Sequence, residues 1–178
     1  ERQHQQQRLT VHERIEGLVD DQSFREVGKL SGNAEYDENG TVTSVTPAPY
    51  VMGLAKIAGR DVAVGGEDFT VRGGTSWGAA RRKGGQGGFV EDLAHEYRIP
   101  LVNLIDGAGG SVTSAKSRGY TSLPGVNPFD RSVELLGEVP VVCAVLGTAA
   151  GGPAGRAMLS HWSIMVDGSS QVFAAGPP

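Results

Sequence analysis

Two stretches of the chain share one pattern: a proline, an almost unbroken apolar run, then closely spaced glycines. The first runs Pro100-Leu101-Val102-Asn103-Leu104-Ile105 into Asp106-Gly107-Ala108-Gly109-Gly110. The second runs Pro140-Val141-Val142-Cys143-Ala144-Val145-Leu146 into Gly147-Thr148-Ala149-Ala150-Gly151-Gly152. Short apolar runs bounded by turn signals predict strands buried on both faces, here over 100–105 and 140–146. Elsewhere the apolar spacing is helical. Thr10-Val11-His12-Glu13 forms a capping box, and Ile15, Leu18 and Val19 predict the buried face of a short helix ending near Asp20. Further helices are predicted over 88–97 (Phe89, Leu93 and Tyr97 on one side), 129–139 (Val133, Leu135 and Leu136 inward) and 152–162 (Ala154, Ala157, Met158 and Trp162 inward). Shorter strands are predicted over 24–30, as an edge, and over 69–71, 163–166 and 171–174. A hairpin is expected from 51–57 and 62–64, and a helical turn after Gly110. Residues 1–8 are polar and unpatterned. Residues 31–49 read as a loop or a boundary before the main body. Strands alternating with helices predict an α/β fold with a largely parallel sheet and right-handed connections.

Composition sharpens this picture. Glycine supplies 27 of 178 residues, against a usual ~7%. There is no collagen period and apolar content is ordinary, so the excess predicts tight turns and backbone-lined sites. A net charge of −4 without blocks of like charge argues against nucleic acid as the main partner. No apolar run reaches the ~18–20 residues of a membrane span. The single cysteine, Cys143, excludes an intrachain disulfide and a cysteine-rich zinc site, and its apolar setting predicts a small buried hydrophobe. No targeting signal is seen from Glu1 onward, so the cytoplasm is the expected compartment, or the mitochondrial matrix in a eukaryote.

Most familiar catalytic signatures are missing. There is no P-loop, and Gly107-Ala108-Gly109-Gly110-Ser111-Val112 breaks the dinucleotide fingerprint at Val112. His4, His12, His95 and His161 have no metal-ligand spacing, so no metal site is expected and they read as surface or capping residues. No nucleophile elbow is present. Asp106 reads as a turn cap, with acid–base work as the alternative. What remains is two glycine bends able to offer main-chain N–H groups to one oxygen, and a cationic glycine-rich stretch, Arg72-Gly73-Gly74 to Arg81-Arg82-Lys83. Glycines serving only close strand–helix packing is the alternative.

Several segments, in order, resemble the carboxyltransferase (β) subunits of biotin-dependent acyl-CoA carboxylases. Leu9-Thr10-Val11-His12-Glu13-Arg14-Ile15, with Leu18-Val19-Asp20 and Ser23-Phe24, is similar to their opening. Asp68-Phe69-Thr70-Val71-Arg72-Gly73-Gly74 resembles their Asp-Phe-Thr-Val-x-Gly-Gly. Residues 139–158 resemble Val-Pro, a strand, then Gly-x-x-Ala-Gly-Gly-Ala, and Phe173 to Pro177 resembles Phe-x-x-Gly-Pro. The family's Asp-Ser-Gly-Gly-Ala-Arg is here Asp106-Gly107-Ala108-Gly109-Gly110-Ser111, without the arginine. Its Lys/Ile-type residues after the Gly-Gly segment are replaced by Lys83-Gly84-Gly85-Gln86-Gly87-Gly88.

The resemblance implies a crotonase-like fold of repeated ββα units. Residues 1–30 would form a helical arm, and 31–178 would match most of the family's N-terminal domain without its second domain. It implies transfer of a carboxyl group from carboxybiotin, carried on a partner, to the α carbon of an acyl-CoA. Amides at Ala108, Gly109, Gly110, Gly151 and Gly152 would hold the enolate oxygen. Arg72, Gly73, Gly74, Arg81, Arg82 and Lys83 would meet CoA. Expected partners are a biotin carboxylase with its carrier protein and further copies of the chain, as a dimer or hexamer. Another crotonase-like acyl-CoA enzyme, a hydratase or thioesterase, and a non-catalytic scaffold remain alternatives.

Overall fold

A computed structural model describes residues 2–75, 90–110 and 129–174. A sheet of seven strands organises the chain. Edge strand β1 (Arg25–Glu26) pairs antiparallel with β4 (Tyr50–Ile57), which forms a hairpin with β5 (Arg60–Glu67). From β5 the sheet turns parallel, through β6 (Leu101–Gly107) to β7 (Val141–Ala150). The first half of β7 pairs with β8 (Trp162–Met165) and its last residues with β9 (Gln171–Phe173), so both short strands share one edge of β7. A separate hairpin, β2 (Gly32–Tyr36) with β3 (Val42–Pro47), stands apart from the sheet.

Helices cover both faces. Alternate residues of a strand point to opposite faces. On one side Tyr50, Met52, Ala63, Leu101 and Val141 pack with Val90 and Ala94 of α3 (Val90–Tyr97) and Leu135 of α4 (Asp130–Leu135). On the other, Val51, Val62, Val64 and Leu104 pack with Val11 and Ile15 of α2 (Val11–Leu18). A short α1 (Arg2–Gln5) precedes α2, and α5 (Gly152–Met158) follows β7. Cys143 lies in the core beside Ile105, Val145 and Ala157, where burial raises its thiol pKa to about 12.

Several details depart from the sequence pattern. The buried face of α2 is Val11 and Ile15, with Leu18 38% exposed. Residues 31–49 hold the β2–β3 hairpin, which carries no one-sided apolar alternation because nearly all of it faces solvent. Residues 69–71 form a turn, where Asp68 accepts from the Thr70 N–H and hydroxyl and ends the extended chain. The helix α5 stops at Met158, and Met158 and Trp162 face solvent. Val133 and Tyr97 are likewise exposed. The β4–β5 turn uses Ala58 and Gly59, both at positive φ (50° and 76°), the pairing of a two-residue hairpin matched to strand twist. Asp20 clamps it by accepting from both turn amides, at 2.8 and 2.7 Å. The turn expected after Gly110, and residues 76–89, lie outside the described residues.

The capping box forms as expected: Thr10 Oγ1 accepts from the Glu13 N–H, and Glu13 accepts from the Thr10 N–H at 2.7 Å. Hydrogen bonds from His4, then from Thr10, lower the Glu13 pKa from 4.5 to about 2. A folded-state pKa below the unfolded value adds stability above the unfolded pKa, and acid removes it as pH falls through the folded one. The window here runs from 4.5 down to about 2. Glu13→Gln is expected to flatten acid unfolding over that window, followed by far-ultraviolet circular dichroism; an unchanged acid limb would mean that the cap contributes nothing there.

Candidate active site

The parallel register of β6 and β7 brings the two glycine bends together. Leu101 pairs with Val141 and Gly107 with Ala149, so both strands end side by side. Gly109 (φ 77°) and Gly151 (φ 61°) then turn the chain through backbone conformations that L side chains rarely adopt. A Cβ on Gly109 would lie 2.4 Å from the Ala150 carbonyl oxygen, and one on Gly151 3.9 Å from Gly109 Cα. The bends are in contact, backbone to backbone.

A third glycine segment joins them. The Ala108 N–H donates to the Gly73 carbonyl at 3.0 Å, and a Cβ on Gly74 would lie 2.8 Å from the Asp106 carbonyl oxygen. Arg72 is exposed at the start of this turn, its carbonyl accepting from the Thr75 hydroxyl at 2.7 Å. Thus Arg72, Gly73, Gly74, Ala108, Gly109, Gly110, Gly151 and Gly152 all belong to one neighbourhood. Arg81, Arg82 and Lys83 lie outside the described residues.

The amides of these bends are not equivalent. Ala108 spends its N–H on Gly73, and Gly151 spends its N–H on the Phe173 carbonyl at 3.3 Å. Both are committed to the fold. Among the described residues, the N–H groups of Gly109, Gly110 and Gly152 have no main-chain acceptor. Gly110 and Gly152 are exposed, with open space where a Cβ would stand. Gly109 is buried, so the amides placed to meet a ligand oxygen from solvent are those of Gly110 and Gly152, which have no main-chain acceptor among the described residues.

Below the bends lies a buried polar network that the sequence pattern did not single out. Asp106 is fully buried and accepts from Arg14 Nη1 at 2.8 Å and from the Thr148 N–H at 3.2 Å. Its own N–H donates to Glu67 Oε2 at 3.2 Å. Glu67 is ion-paired with Arg156 of α5, and Arg156 also faces Glu91 at 3.9 Å and the Tyr50 ring at 5.6 Å. Burial lowers the Arg156 pKa, opposed by Tyr50, yet a guanidinium stays cationic in proteins and is matched here by carboxylates. Asp106 therefore has its carboxylate turned inward and bonded on both oxygens, to Arg14 and to the Thr148 N–H of the neighbouring strand, rather than capping amides of its own turn as the sequence suggested. Acid–base work would need an open carboxyl group. Part of the signal in the sequence was present: Asp106 and Arg156 are single charges set among glycines and apolar residues, and Glu67 follows Gly65-Gly66. Nothing in their spacing says that they meet.

The histidines are structural. His161 Nδ1 accepts from the Val141 N–H at 3.0 Å, leaving its other nitrogen to donate to the Leu136 carbonyl at 3.0 Å. His4 bonds Glu13 at 2.9 Å and His12 bonds Glu26 at 3.2 Å. Among the described residues one trio could hold a cation: His95, Glu134 and Glu138, with donor atoms within 4.8 Å of one another. It lies on and just after the helices α3 and α4, and Glu134 is already paired with Arg131. No described helix is long and apolar enough to cross a membrane.

Comparisons with known proteins show the family to which the chain belongs. The family model for the carboxyl transferase domain matches residues 2–178. The propionyl-CoA carboxylase carboxyltransferase subunit of Haloferax mediterranei is 31% identical over 98% of the chain and 33% of that protein. The mitochondrial propionyl-CoA carboxylase beta chain of Sus scrofa is 31% identical over 98% of the chain and 32% of its own length. Among solved structures, a transcarboxylase 12S hexamer with methylmalonyl-coenzyme A and methylmalonic acid bound superposes with a TM-score of 0.76 at 26% identity, over 99% of the chain and 33% of that one. The chain thus spans about a third of the length of these relatives. The mixed α/β sheet with its helices has the crotonase-like fold of their carboxyltransferase domains. With the family model covering it almost end to end, the chain belongs to the carboxyl transferase domain family.

Proposed function

We propose that this chain provides the acyl-CoA part of a biotin-dependent carboxyltransferase, which moves a carboxyl group from carboxybiotin to the α carbon of an acyl-CoA. The observation that carries this reading is the contact between the bends at Gly109 and Gly151, beside which the Gly109, Gly110 and Gly152 amides have no main-chain acceptor among the described residues. The thioester carbonyl oxygen gains charge when the α carbon loses a proton. Fixed amides aimed at that oxygen lower the barrier, and one such donor is worth ~3–4 kcal/mol. Biotin on a carrier protein would supply the carboxyl group and the base, so no side-chain base is required of this chain. That fits a site whose described carboxylates, Asp106 and Glu67, are buried and locked.

The CoA phosphates would meet Arg72 and the cations Arg81, Arg82 and Lys83, whose guanidinium and ammonium groups suit phosphate oxygens. A biotin carboxylase with its carrier protein would be the partner. Assembly with further copies is proposed as well, since the similar transcarboxylase 12S assembles as a hexamer. The compartment would be the cytoplasm, or the mitochondrion as in the name of the pig relative.

The reading is tested by reconstituting the complete protein with a biotin carboxylase and carrier subunit. ATP-dependent incorporation of labelled bicarbonate into propionyl-CoA is expected; CoA binding without incorporation would instead favour a scaffold. In the same system Arg81→Glu with Arg82→Glu should raise KM for the acyl-CoA roughly tenfold or more, since charge-assisted bonds contribute about 1.5–3 kcal/mol. An unchanged KM would remove both residues from the CoA site.

A further inference from the structure

The two bends could be held apart by the sheet ladder alone, but the ladder breaks where it is needed. Pairing of β6 with β7 runs in register from Leu101 to Ile105 and then shifts before Gly107. The residue at the break is Asp106. Its side chain does there what a ladder bond would do: Oδ1 accepts the Thr148 N–H at 3.2 Å, just ahead of the second bend. The carboxylate sits against bare backbone, because a Cβ on Gly147 would lie 2.3 Å from Oδ1. Its orientation is fixed from two further directions. Arg14 of α2 holds Oδ2 at 2.8 Å, and Glu67 accepts the Asp106 N–H while pairing with Arg156, directly beyond the second bend. Every member is buried or nearly so: Asp106 is 0% exposed, Glu67 3% and Arg156 4%.

We infer that Asp106 is a positioning residue for the acyl-CoA site. Its carboxylate, seated in the break between β6 and β7, sets the separation of the two glycine bends, and Arg14 and Glu67 hold that carboxylate in place. This rests on the proposed function, because the quantity being set is the distance between amides that receive one carbonyl oxygen. It also gives Arg14, in the N-terminal helix, a line to the site through a single hydrogen bond. The buried carboxylate would act without touching substrate.

The test compares two probes in the complete protein: propionyl-CoA, and S-propyl-CoA, a thioether without the carbonyl oxygen. Both fill the CoA site, and only the first uses the amides. Two amide bonds to one oxygen are expected to favour propionyl-CoA roughly tenfold in the wild type. In Asp106→Asn, which keeps the shape but loses the charge facing Arg14, the preference should fall to roughly threefold or less, with S-propyl-CoA affinity unchanged. The ratio is insensitive to a partly unfolded sample, since lost protein weakens both probes alike. Gly147→Ala displaces the same carboxylate by contact and should reduce the ratio in the same way. A wild-type preference that persists in both variants overturns the inference and leaves the proposed function standing. A wild type that binds neither probe, or both equally, overturns the proposed function and this inference with it.

Discussion

Replacing Gly109 with alanine is expected to lower kcat of the complete enzyme about 100-fold, with a much smaller change in KM for the acyl-CoA. Two independent features of the structure require glycine there. The φ of 77° is strained for any L side chain, at about 1–2 kcal/mol. The added Cβ would lie 2.4 Å from the Ala150 carbonyl oxygen, a backbone atom that cannot turn aside. The bends must therefore separate, and misplacing catalytic groups by about 1 Å can cost ~100-fold in rate. Under the proposed function the CoA moiety is met by cations elsewhere in the chain and would still bind. Steady-state kinetics read both constants. Wild-type kcat in the alanine variant would place the reaction away from this bend.

The second large effect is on stability. Arg156→Met is expected to destabilise the protein by about 3–5 kcal/mol, because Glu67 is left as a buried carboxylate without its cation. For a domain of this size the melting temperature should fall by on the order of 10 °C. Removing the charge from both sides, with Glu67→Gln added to Arg156→Met, should recover a large part of the loss, since the penalty belongs to the unpaired ion. Thermal unfolding of the two variants checks this. A single variant within about 1 kcal/mol of the wild type would show that the pair bears no such charge imbalance.

The elements legible in the sequence were those whose pattern repeats a local rule. Residues 100–105 and 140–146 are apolar runs between turn signals, and they became the central strands β6 and β7. The capping box named the start of α2 because its two hydrogen bonds are local. The proximity of the glycine bends followed from parallel neighbouring strands of similar length. Less was legible where burial depends on distant partners. Leu18, Val133, Met158 and Trp162 occupy helical or strand-like spacing yet face solvent. The β2–β3 hairpin has no buried face, so no alternation marks it. Which amides are free could not be read from glycine content: Ala108 and Gly151 are engaged through Gly73 and Phe173, two contacts made only by tertiary structure. The network of Arg14, Glu67, Asp106 and Arg156 joins four separate elements, and no window along the chain contains it.

The proposed function depends on one oxygen meeting main-chain amides at the touching glycine bends. The most direct measurement is a crystal structure of the complete protein with propionyl-CoA bound. The thioester oxygen is predicted at about 2.7–3.1 Å from the N–H of Gly109 or Gly110 on one bend and of Gly152 on the other. A thioester oxygen seated away from both bends, with CoA in place, would contradict it.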